Sequence, residues 1–127
     1  MKTTKLLLDT HVFLWWRAND PSLQETVISA ISDANVVFVS AATAWEAAIK
    51  AALGRLELPA SIESGVEDSG FEKLPITFLH AETAAALPAH HHDPFDRMLV
   101  AQTIAEGLTL VTHDRKLEAY GVPILWT

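Results

Sequence analysis

The sequence contains no cysteine among its 127 residues. Disulfide bonds and thiolate metal sites are therefore excluded, and the composition suits a reducing cytoplasm, which is the location we expect. The sequence also lacks any apolar run approaching the roughly 20 residues that a membrane helix needs. A short apolar run near the N-terminus is interrupted by Asp9 and has no cleavage site of small residues, so we expect neither a signal peptide nor a membrane anchor.

Basic residues are also few. Nine Lys and Arg stand against sixteen Asp and Glu, which gives a formal net charge of −7. A protein that held nucleic acid by charge alone would usually carry the opposite sign. The balance suits an acidic pocket that recruits a divalent cation, or a basic partner chain, and composition does not choose between the two.

Apolar residues make up 50% of the chain, which is typical of a folded domain with a buried core. Strand-like segments alternate with helical ones throughout. This alternation predicts an α/β fold over 1–127, with a short parallel β-sheet of about four to five strands flanked by helices on both faces. The predicted strands are 5–8, 36–39, 74–76, 108–111 and 122–125. The predicted helices are 10–16, 22–34, 43–53, 61–71, 80–87 and 94–106, followed by a helical turn at 115–119.

Acidic residues stand at both ends of the segment HDPFDRMLVAQTIAEGLTLVTHD. Asp93 and Pro94 predict a helix start, with Asp93 as the N-cap and Pro94 at the first helical position. Gly107 predicts the end of that helix. Asp96 lies in its first turn, and Asp114 lies just beyond the apolar strand that follows. The two ends of this segment can therefore meet at one site.

Two further acids take corresponding places earlier in the chain. Asp9 follows the first strand, and Glu46 lies on the helix after the second. Ligands bind at the carboxyl ends of parallel strands, so these two residues can join Asp96 and Asp114 there. Carboxylates gather in such a cleft only with a cation, because their repulsion and desolvation are costly. Oxygen ligands of this kind select Mg²⁺ or Mn²⁺, which activates a bound water for attack at phosphorus.

Each acid also has an ordinary structural interpretation. Asp9 and Asp93 can be helix caps, and Asp114 can be a turn residue. Glu46 can pair with Lys50, four residues further along the same helix. None of these residues is convincing singly, and only their joint placement favours a metal-dependent phosphoryl-transfer or hydrolytic site.

Two other classes of protein remain open at this point. One is a Mg²⁺-dependent phosphohydrolase of the haloacid dehalogenase kind, which also begins with a strand followed by Asp. That chemistry needs a second Asp two residues after the first, where this chain has His11. The other is a non-catalytic acidic module that binds a basic protein, needs no metal and cuts nothing.

Six segments in order resemble the PIN-domain proteins of the VapC toxin type: LLLDTHVFLWW, SAATAWEAAIK, GRLELP, LPAHHHDPFDRMLVAQTIAEG, LTLVTHD and YGVPILW. The similarity covers essentially the whole chain, so it implies a single PIN domain over 1–127 with a PIN-like three-layer fold. It implies a Mg²⁺- or Mn²⁺-dependent endoribonuclease that leaves a 5′-phosphate and a 3′-hydroxyl on its RNA substrate. It further implies a toxin with a cognate antitoxin, a segment of which covers the cleft, and a homodimer.

The acidic quartet of that family falls on Asp9, Glu46, Asp96 and Asp114. The resemblance implies that the three aspartates hold the metal, directly or through water. Glu46 would orient or deprotonate the attacking water, or serve as a further ligand. Candidate outer-shell residues are Asp93, Thr10, Ser40 and Thr112, and candidate contacts to substrate or antitoxin are Lys50, Arg97 and Arg115.

A run of three histidines, His90, His91 and His92, stands directly before Asp93. The family pattern accounts for one histidine near this position and not for three. We therefore expect the run to form an exposed loop rather than a second metal site.

Four aromatic residues could add apolar interface area, although burial in the core is the default for at least two of them: Phe13, Trp15, Trp16 and Trp45. Trp15 and Trp16 are neighbours on a predicted helix and cannot face the same side, so we expect one of them to be exposed or at an interface. For Trp45 the spacing predicts burial, on one side of its helix together with 48, 49 and 52.

Overall fold

A five-stranded parallel β-sheet forms the centre of the structure, a computed structural model that describes residues 4–127. The strand order is β3-β2-β1-β4-β5, and every neighbouring pair is parallel. The predicted α/β fold with a parallel sheet between helices is confirmed. The strands are β1 (Lys5–Leu8), β2 (Val36–Ser40), β3 (Glu72–Leu74), β4 (Thr109–Thr112) and β5 (Ile124–Trp126).

Six α-helices connect the strands, and a 3₁₀ helix lies between β4 and β5. The α-helices are α1 (Thr10–Ala18), α2 (Glu25–Asp33), α3 (Ala41–Ala52), α4 (Ile62–Asp68), α5 (Phe78–Ala86) and α6 (Pro94–Glu106), and the 3₁₀ helix is Arg115–Tyr120. In residues 4–127 every helix is too short or too polar to cross a membrane.

The position of β1 in the sheet determines where a ligand can bind. β1 pairs with β2 on one side and with β4 on the other. The connections that leave β1 and β4 therefore run in different directions and open a crevice at the carboxyl ends of these strands. Open parallel sheets bind ligands at such a switch point.

The core lies on both faces of the sheet, as the continuous apolar strands predict. Along β1, Leu6 and Leu8 face one cluster of buried side chains, which includes Phe13 of α1. Leu7 faces the opposite cluster, which includes Leu99 of α6. Core packing thus fixes both α1 and α6 to the central strand.

The structure corrects several predicted boundaries. β3 ends at Leu74, whereas the sequence placed it at 74–76, because Pro75 has no N–H to donate to a neighbouring strand. α5 begins at Phe78 rather than at 80, because Thr77 caps it and accepts from the His80 backbone N–H. β5 begins at Ile124 rather than at 122, directly after Pro123.

The predicted buried side of α3 is wrong. Trp45 is 61% exposed, and the buried side chains are those of 42, 43, 46 and 47. This alanine-rich helix has little apolar contrast between its faces, and Glu46 is turned inward at the carboxyl ends of the strands. The ring of Trp45 packs edge-on against Phe95 of α6, 5.1 Å between centroids.

Neither Trp15 nor Trp16 is exposed, since both are half-buried, and the alternative that one of them lies at an interface stays a prediction. Their rings leave the helix in different directions and find different neighbours. Trp15 lies 5.0 Å from the ring of His113, and Trp16 lies 5.5 Å from the ring of Phe71. Phe13, by contrast, is fully buried, as a core residue would be.

Candidate metal centre

An acidic cavity of about 360 Å³ opens at the carboxyl ends of β1 and β4. Its wall includes all four acids of the predicted quartet, which come from four different elements of the fold. It also includes the acid that caps α6. These five carboxylates are Asp9, Glu46, Asp93, Asp96 and Asp114.

Asp9 follows β1 and is the N-cap of α1. One of its carboxylate oxygens accepts from the Val12 backbone N–H at 2.8 Å. The other accepts from the hydroxyl of Thr112, at the end of β4, at 2.5 Å. The side chain is only 4% exposed, and this burial raises the pKa of Asp9 even though both hydrogen bonds lower it. Asp9 is therefore both a helix cap and a buried acid in the cavity wall.

Glu46 reaches the cavity from the second turn of α3 and is 7% exposed. One carboxylate oxygen accepts from the hydroxyl of Thr10 at 2.6 Å, and the other pairs with the Lys50 ammonium at 2.8 Å. Because Thr10 donates its only proton to Glu46, the hydroxyl of Thr43 must donate to Thr10 across their 3.1 Å contact. The expected pairing with Lys50 is present, and it holds Glu46 within the cavity rather than outside it.

Asp96 and Asp114 meet across the ring of His91. The Nε2 atom of His91 lies 3.1 Å from a carboxylate oxygen of each residue. Its Nδ1 atom accepts from the His92 backbone N–H at 3.0 Å, so a neutral His91 carries its proton on Nε2, between the two acids. Ligand atoms of His91, Asp96 and Asp114 all lie within 4.8 Å of one another.

Asp93 is the N-cap of α6, with Pro94 in the first turn and Gly107 in the left-handed conformation at the other end. Its carboxylate accepts from the backbone N–H groups of Phe95 and Asp96. The three predicted helix signals are therefore confirmed. The cap fixes the first turn of α6, and with it the direction in which Asp96 enters the cavity.

The surroundings of Asp96 oppose its negative charge. Burial and the neighbouring carboxylates of Asp93, Asp9 and Asp114 raise the pKa of Asp96 to about 7, and the nearby imidazole of His91 only partly offsets them. A divalent cation held by the same oxygens would remove this penalty, because it supplies the opposite charge at the point where the acids converge.

The donor set fits a hard divalent cation. Asp96 and Asp114 offer two carboxylates a few ångströms apart, and carboxylate oxygens suit Mg²⁺ and Mn²⁺. Asp9 adds a third acid in the same wall. The Nε2 atom of His91 occupies the gap between the carboxylates, where its proton acts as a substitute for part of the cation's charge.

Three of the four candidate outer-shell residues contact or support the quartet. Thr10 donates to Glu46, Thr112 donates to Asp9, and Asp93 caps the helix that carries Asp96. Ser40 does something different: its hydroxyl accepts from the Ala42 N–H and caps α3. Its role is to start the helix on which Glu46 lies.

Of the three candidate cationic contacts, two line the cavity. Lys50 reaches it beside Glu46, and the guanidinium of Arg115 lies at its rim, 4.2 Å from the ring centre of Trp126. Arg97 is placed elsewhere. Its guanidinium donates to the Tyr120 hydroxyl and to four backbone carbonyls, those of 84, 87, 88 and 91. Arg97 therefore holds the loop between α5 and α6 instead of facing a ligand.

The expectation of an incidental histidine loop is wrong for His91, which lies at the centre of the acidic cluster. His90 packs its ring against Tyr120, 5.1 Å between centroids, and His92 is exposed. The position of His91 two residues before the cap Asp93 was the available signal. Sequence reasoning also missed two further histidines of the cavity wall, His11 and His113.

Comparison with known proteins identifies the family of this chain. The model of the family described as PIN domain matches residues 6–123. The curated protein "Ribonuclease VapC22" of Mycobacterium tuberculosis (strain ATCC 25618 / H37Rv) is 35% identical over 123 residues, which cover 94% of this chain and 95% of that protein.

Solved structures share the fold at low sequence identity. A structure of VapBC2 from Rickettsia felis, bound to a DNA fragment from the promoter, matches with a TM-score of 0.72 and 14% identity, over 96% of this chain and 98% of the other. DNA-bound VapBC from Salmonella typhimurium matches with a TM-score of 0.70 and 21% identity, over 96% and 97%. VapBC-5 from Mycobacterium tuberculosis matches with a TM-score of 0.65 and 20% identity, over 98% and 99%.

Proposed function

We propose, because this chain belongs to the PIN-domain family, that it is a divalent-metal-dependent endoribonuclease and the toxin of a toxin–antitoxin pair. The observation that carries the proposal is the convergence of Asp9, Glu46, Asp96 and Asp114 on one cavity at the switch point of the sheet. A relative that is 35% identical along nearly its whole length is named a ribonuclease, which supports RNA as the substrate.

Asp96 and Asp114 would hold the metal ion, with Asp9 as a further ligand, directly or through water. We propose Mg²⁺ or Mn²⁺, since the acids offer only oxygen atoms and the chain has no cysteine. When bound, such an ion lowers the pKa of a coordinated water and neutralises charge on the phosphate. Thr112 and the backbone of α1 hold the carboxylate of Asp9 in one orientation toward that site.

Glu46 would orient the attacking water or take its proton. Its two oxygens are fixed by Thr10 and Lys50, so the carboxylate is held in place before substrate arrives. A carboxylate oxygen has more than one lone pair and can accept a further hydrogen bond from water in this arrangement.

Cations of the cavity would contact the RNA backbone, because the protein's overall negative charge does not attract it. Lys50 has three donor hydrogens and can reach a phosphate while it remains paired with Glu46. Arg115 presents a planar guanidinium at the rim, held against Trp126. The metal and these two side chains together offset the acidic wall where a phosphate would lie.

The proposed partner is a cognate antitoxin, because several structures with this fold are VapBC assemblies and one matching structure is described as a toxin–antitoxin complex from Klebsiella pneumoniae. We also propose a homodimer. Trp45, Ile49 and Leu53 of the chain are exposed along one side of α3 and its end, and such apolar area is typical of an interface.

Cleavage of mixed RNA tests the proposed activity. We expect cleavage with Mg²⁺ or Mn²⁺, its loss with EDTA, and its loss in Asp96→Asn, because the variant removes a charged ligand but keeps the side-chain volume. The matched control is Asp33→Asn, which removes an exposed acid at the end of α2 and should cleave like the parent.

Metal-independent cleavage, or cleavage by Asp96→Asn at the parent rate, would contradict the assignment. Binding of a basic protein without metal and without any RNA cleavage would favour the non-catalytic acidic module. Hydrolysis of small phosphomonoesters in place of RNA would favour a phosphohydrolase of another class.

A further inference from the structure

Three aromatic rings form a cluster on the rim of the acidic cavity: His11, Trp15 and His113, here called the rim cluster. The ring of His113 lies 5.3 Å from that of His11 and 5.0 Å from that of Trp15. The rings of His11 and Trp15 are 6.2 Å apart. Both histidines are exposed and line the cavity, and Trp15 is half-buried beneath them. These rings are thus packed on one another while part of their surface remains open to solvent.

The rim cluster is fixed to two of the proposed metal ligands through the backbone. His11 lies in the first turn of α1, whose N-cap is Asp9. His113 stands between Thr112, which donates to Asp9, and Asp114. The backbone at both histidines is therefore fixed next to proposed metal ligands, and the two rings lie beside the point where a scissile phosphate would bind. A group stacked on them would belong to the nucleotide next to that phosphate.

We propose that the rim cluster is a stacking site for an unpaired base of the RNA substrate, next to the bond that is cut. This proposal rests on the proposed ribonuclease function and adds to it a contact between these rings and the base beside the cut. Proteins recognise single-stranded RNA by stacking bases on aromatic and histidine rings, in combination with cations that follow the backbone. Arg115, held over Trp126 at the same rim, provides such a cation.

The chemistry of the rim cluster favours a base over a protein partner. The large exposed aliphatic side chains of the described chain lie elsewhere, for example Ile49, Leu53 and Ile104. The rim cluster instead offers three flat rings, of which two are imidazoles. A nucleobase has the matching flat face, and its phosphate would lie toward the proposed metal.

The test compares His113→Ala with His113→Phe and uses two RNA substrates. One is a single-stranded oligonucleotide that the parent cuts, and the other is the same oligonucleotide with an abasic site beside the cut. Stacking on one aromatic side chain is worth about fivefold to a hundredfold in affinity. We expect His113→Ala to raise KM for the intact substrate by about tenfold. We expect His113→Phe to have a KM close to that of the parent, because it keeps an aromatic ring.

The two substrates separate stacking from a structural role of His113. The parent should lose affinity for the abasic substrate by at least the factor that His113→Ala costs, and the variant should lose less affinity than the parent when the base is removed. A variant that merely displaced Asp114 would lower kcat equally on both substrates. The matched control is His92→Ala, an exposed histidine outside the cavity wall, which should behave like the parent.

Equal KM values for the parent, His113→Ala and His11→Ala on the intact substrate would overturn the stacking site while leaving the ribonuclease assignment in place. Weaker binding of an antitoxin by these variants, with unchanged RNA cleavage, would overturn it in favour of a protein contact. A parent protein that cuts no RNA would instead reject the proposed function, and the stacking site with it.

Discussion

The carboxyl of Asp96 lies where the metal-free protein disfavours a negative charge. Burial and three neighbouring acids raise its pKa to about 7, from an ordinary value of 3.8. Folding therefore favours the protonated form, so this residue stabilises the metal-free protein at low pH. That stability is lost as pH rises through the folded-state pKa. The pKa of Asp9 is raised as well, so its effect on stability changes with pH in the same direction.

We predict that the metal-free parent loses about 2 kcal/mol of unfolding free energy, relative to Asp96→Asn, between about pH 4 and pH 8. The measurement is urea unfolding of both proteins in EDTA across that range. The comparison between parent and variant removes the opposite contributions of Asp20 and Glu63, whose pKa values are lowered by their hydrogen bonds. Added Mg²⁺ should stabilise the parent at pH 8 and not the variant. A constant difference across the pH range would contradict the prediction.

The residues of the site could be predicted from sequence only where position along the chain determines position in space. Asp9 and Asp114 follow adjacent parallel strands, and Asp93 and Pro94 mark a helix start, so their places followed from local signals. His91 did not, because its place depends on how the loop between α5 and α6 folds back. No periodicity or cap predicts the path of that loop, because contacts with the Arg97 guanidinium and the Tyr120 hydroxyl determine it.

At the level of the elements, Arg97 connects α6 with the loop before it. Its guanidinium donates to the carbonyls of Ala84, Leu87, Pro88 and His91 and to the Tyr120 hydroxyl, at 2.9 to 3.4 Å. These carbonyls end α5 and form the loop that carries His91 to the acids. One side chain from the first turn of the following helix therefore contacts most of this loop, and the Tyr120 hydroxyl, which accepts from the His91 backbone N–H, adds a further contact.

We predict that Arg97→Lys destabilises the protein by about 2 kcal/mol, although the charge is kept. An ammonium cannot satisfy several carbonyls in one plane as a guanidinium does, and hydrogen bonds from a charged donor contribute about 1.5 to 3 kcal/mol. Urea unfolding measures the loss, and hydrogen exchange should show faster exchange at the amides of Leu87 and of 89–92. Arg55→Lys, at an exposed position, is the control. Unchanged exchange in that loop would show that Arg97 does not hold it.

The positions of the strands could be predicted from the sequence, whereas the buried face of α3 could not. Strands buried on both faces read as apolar runs, and all five strands were placed within two residues. The buried face of α3 was not found, because its apolar residues are distributed around the helix and Trp45 drew the prediction to the wrong side. Which face is buried is decided by packing against the sheet and α6, and Glu46 is turned inward by contacts with Thr10 that lie 36 residues away.

At the scale of the whole molecule, a net charge of −7 must be reconciled with an RNA substrate. The acids of the cavity are the proposed metal ligands, so a bound ion offsets part of this charge where the phosphate would lie. Few cations remain for the backbone, and those of the cavity are Lys50 and Arg115. Recognition would then depend on the metal and on stacking more than on general attraction to a polyanion.

Because the metal and base stacking would supply most of the binding, we predict that the affinity for RNA depends only weakly on salt concentration. For single-stranded nucleic acid the slope of log K against log salt is about −0.7 for each neutralised phosphate, so two or three contacts give about −1.4 to −2. We expect that range for a single-stranded oligonucleotide binding to Asp96→Asn, measured by anisotropy. Replacing Arg115 with Met in that protein should reduce the slope by about 0.7, whereas Arg55→Met should leave it unchanged. A slope steeper than about −4 would mean that a basic surface outside the cavity carries the binding, since two cavity cations could not produce it.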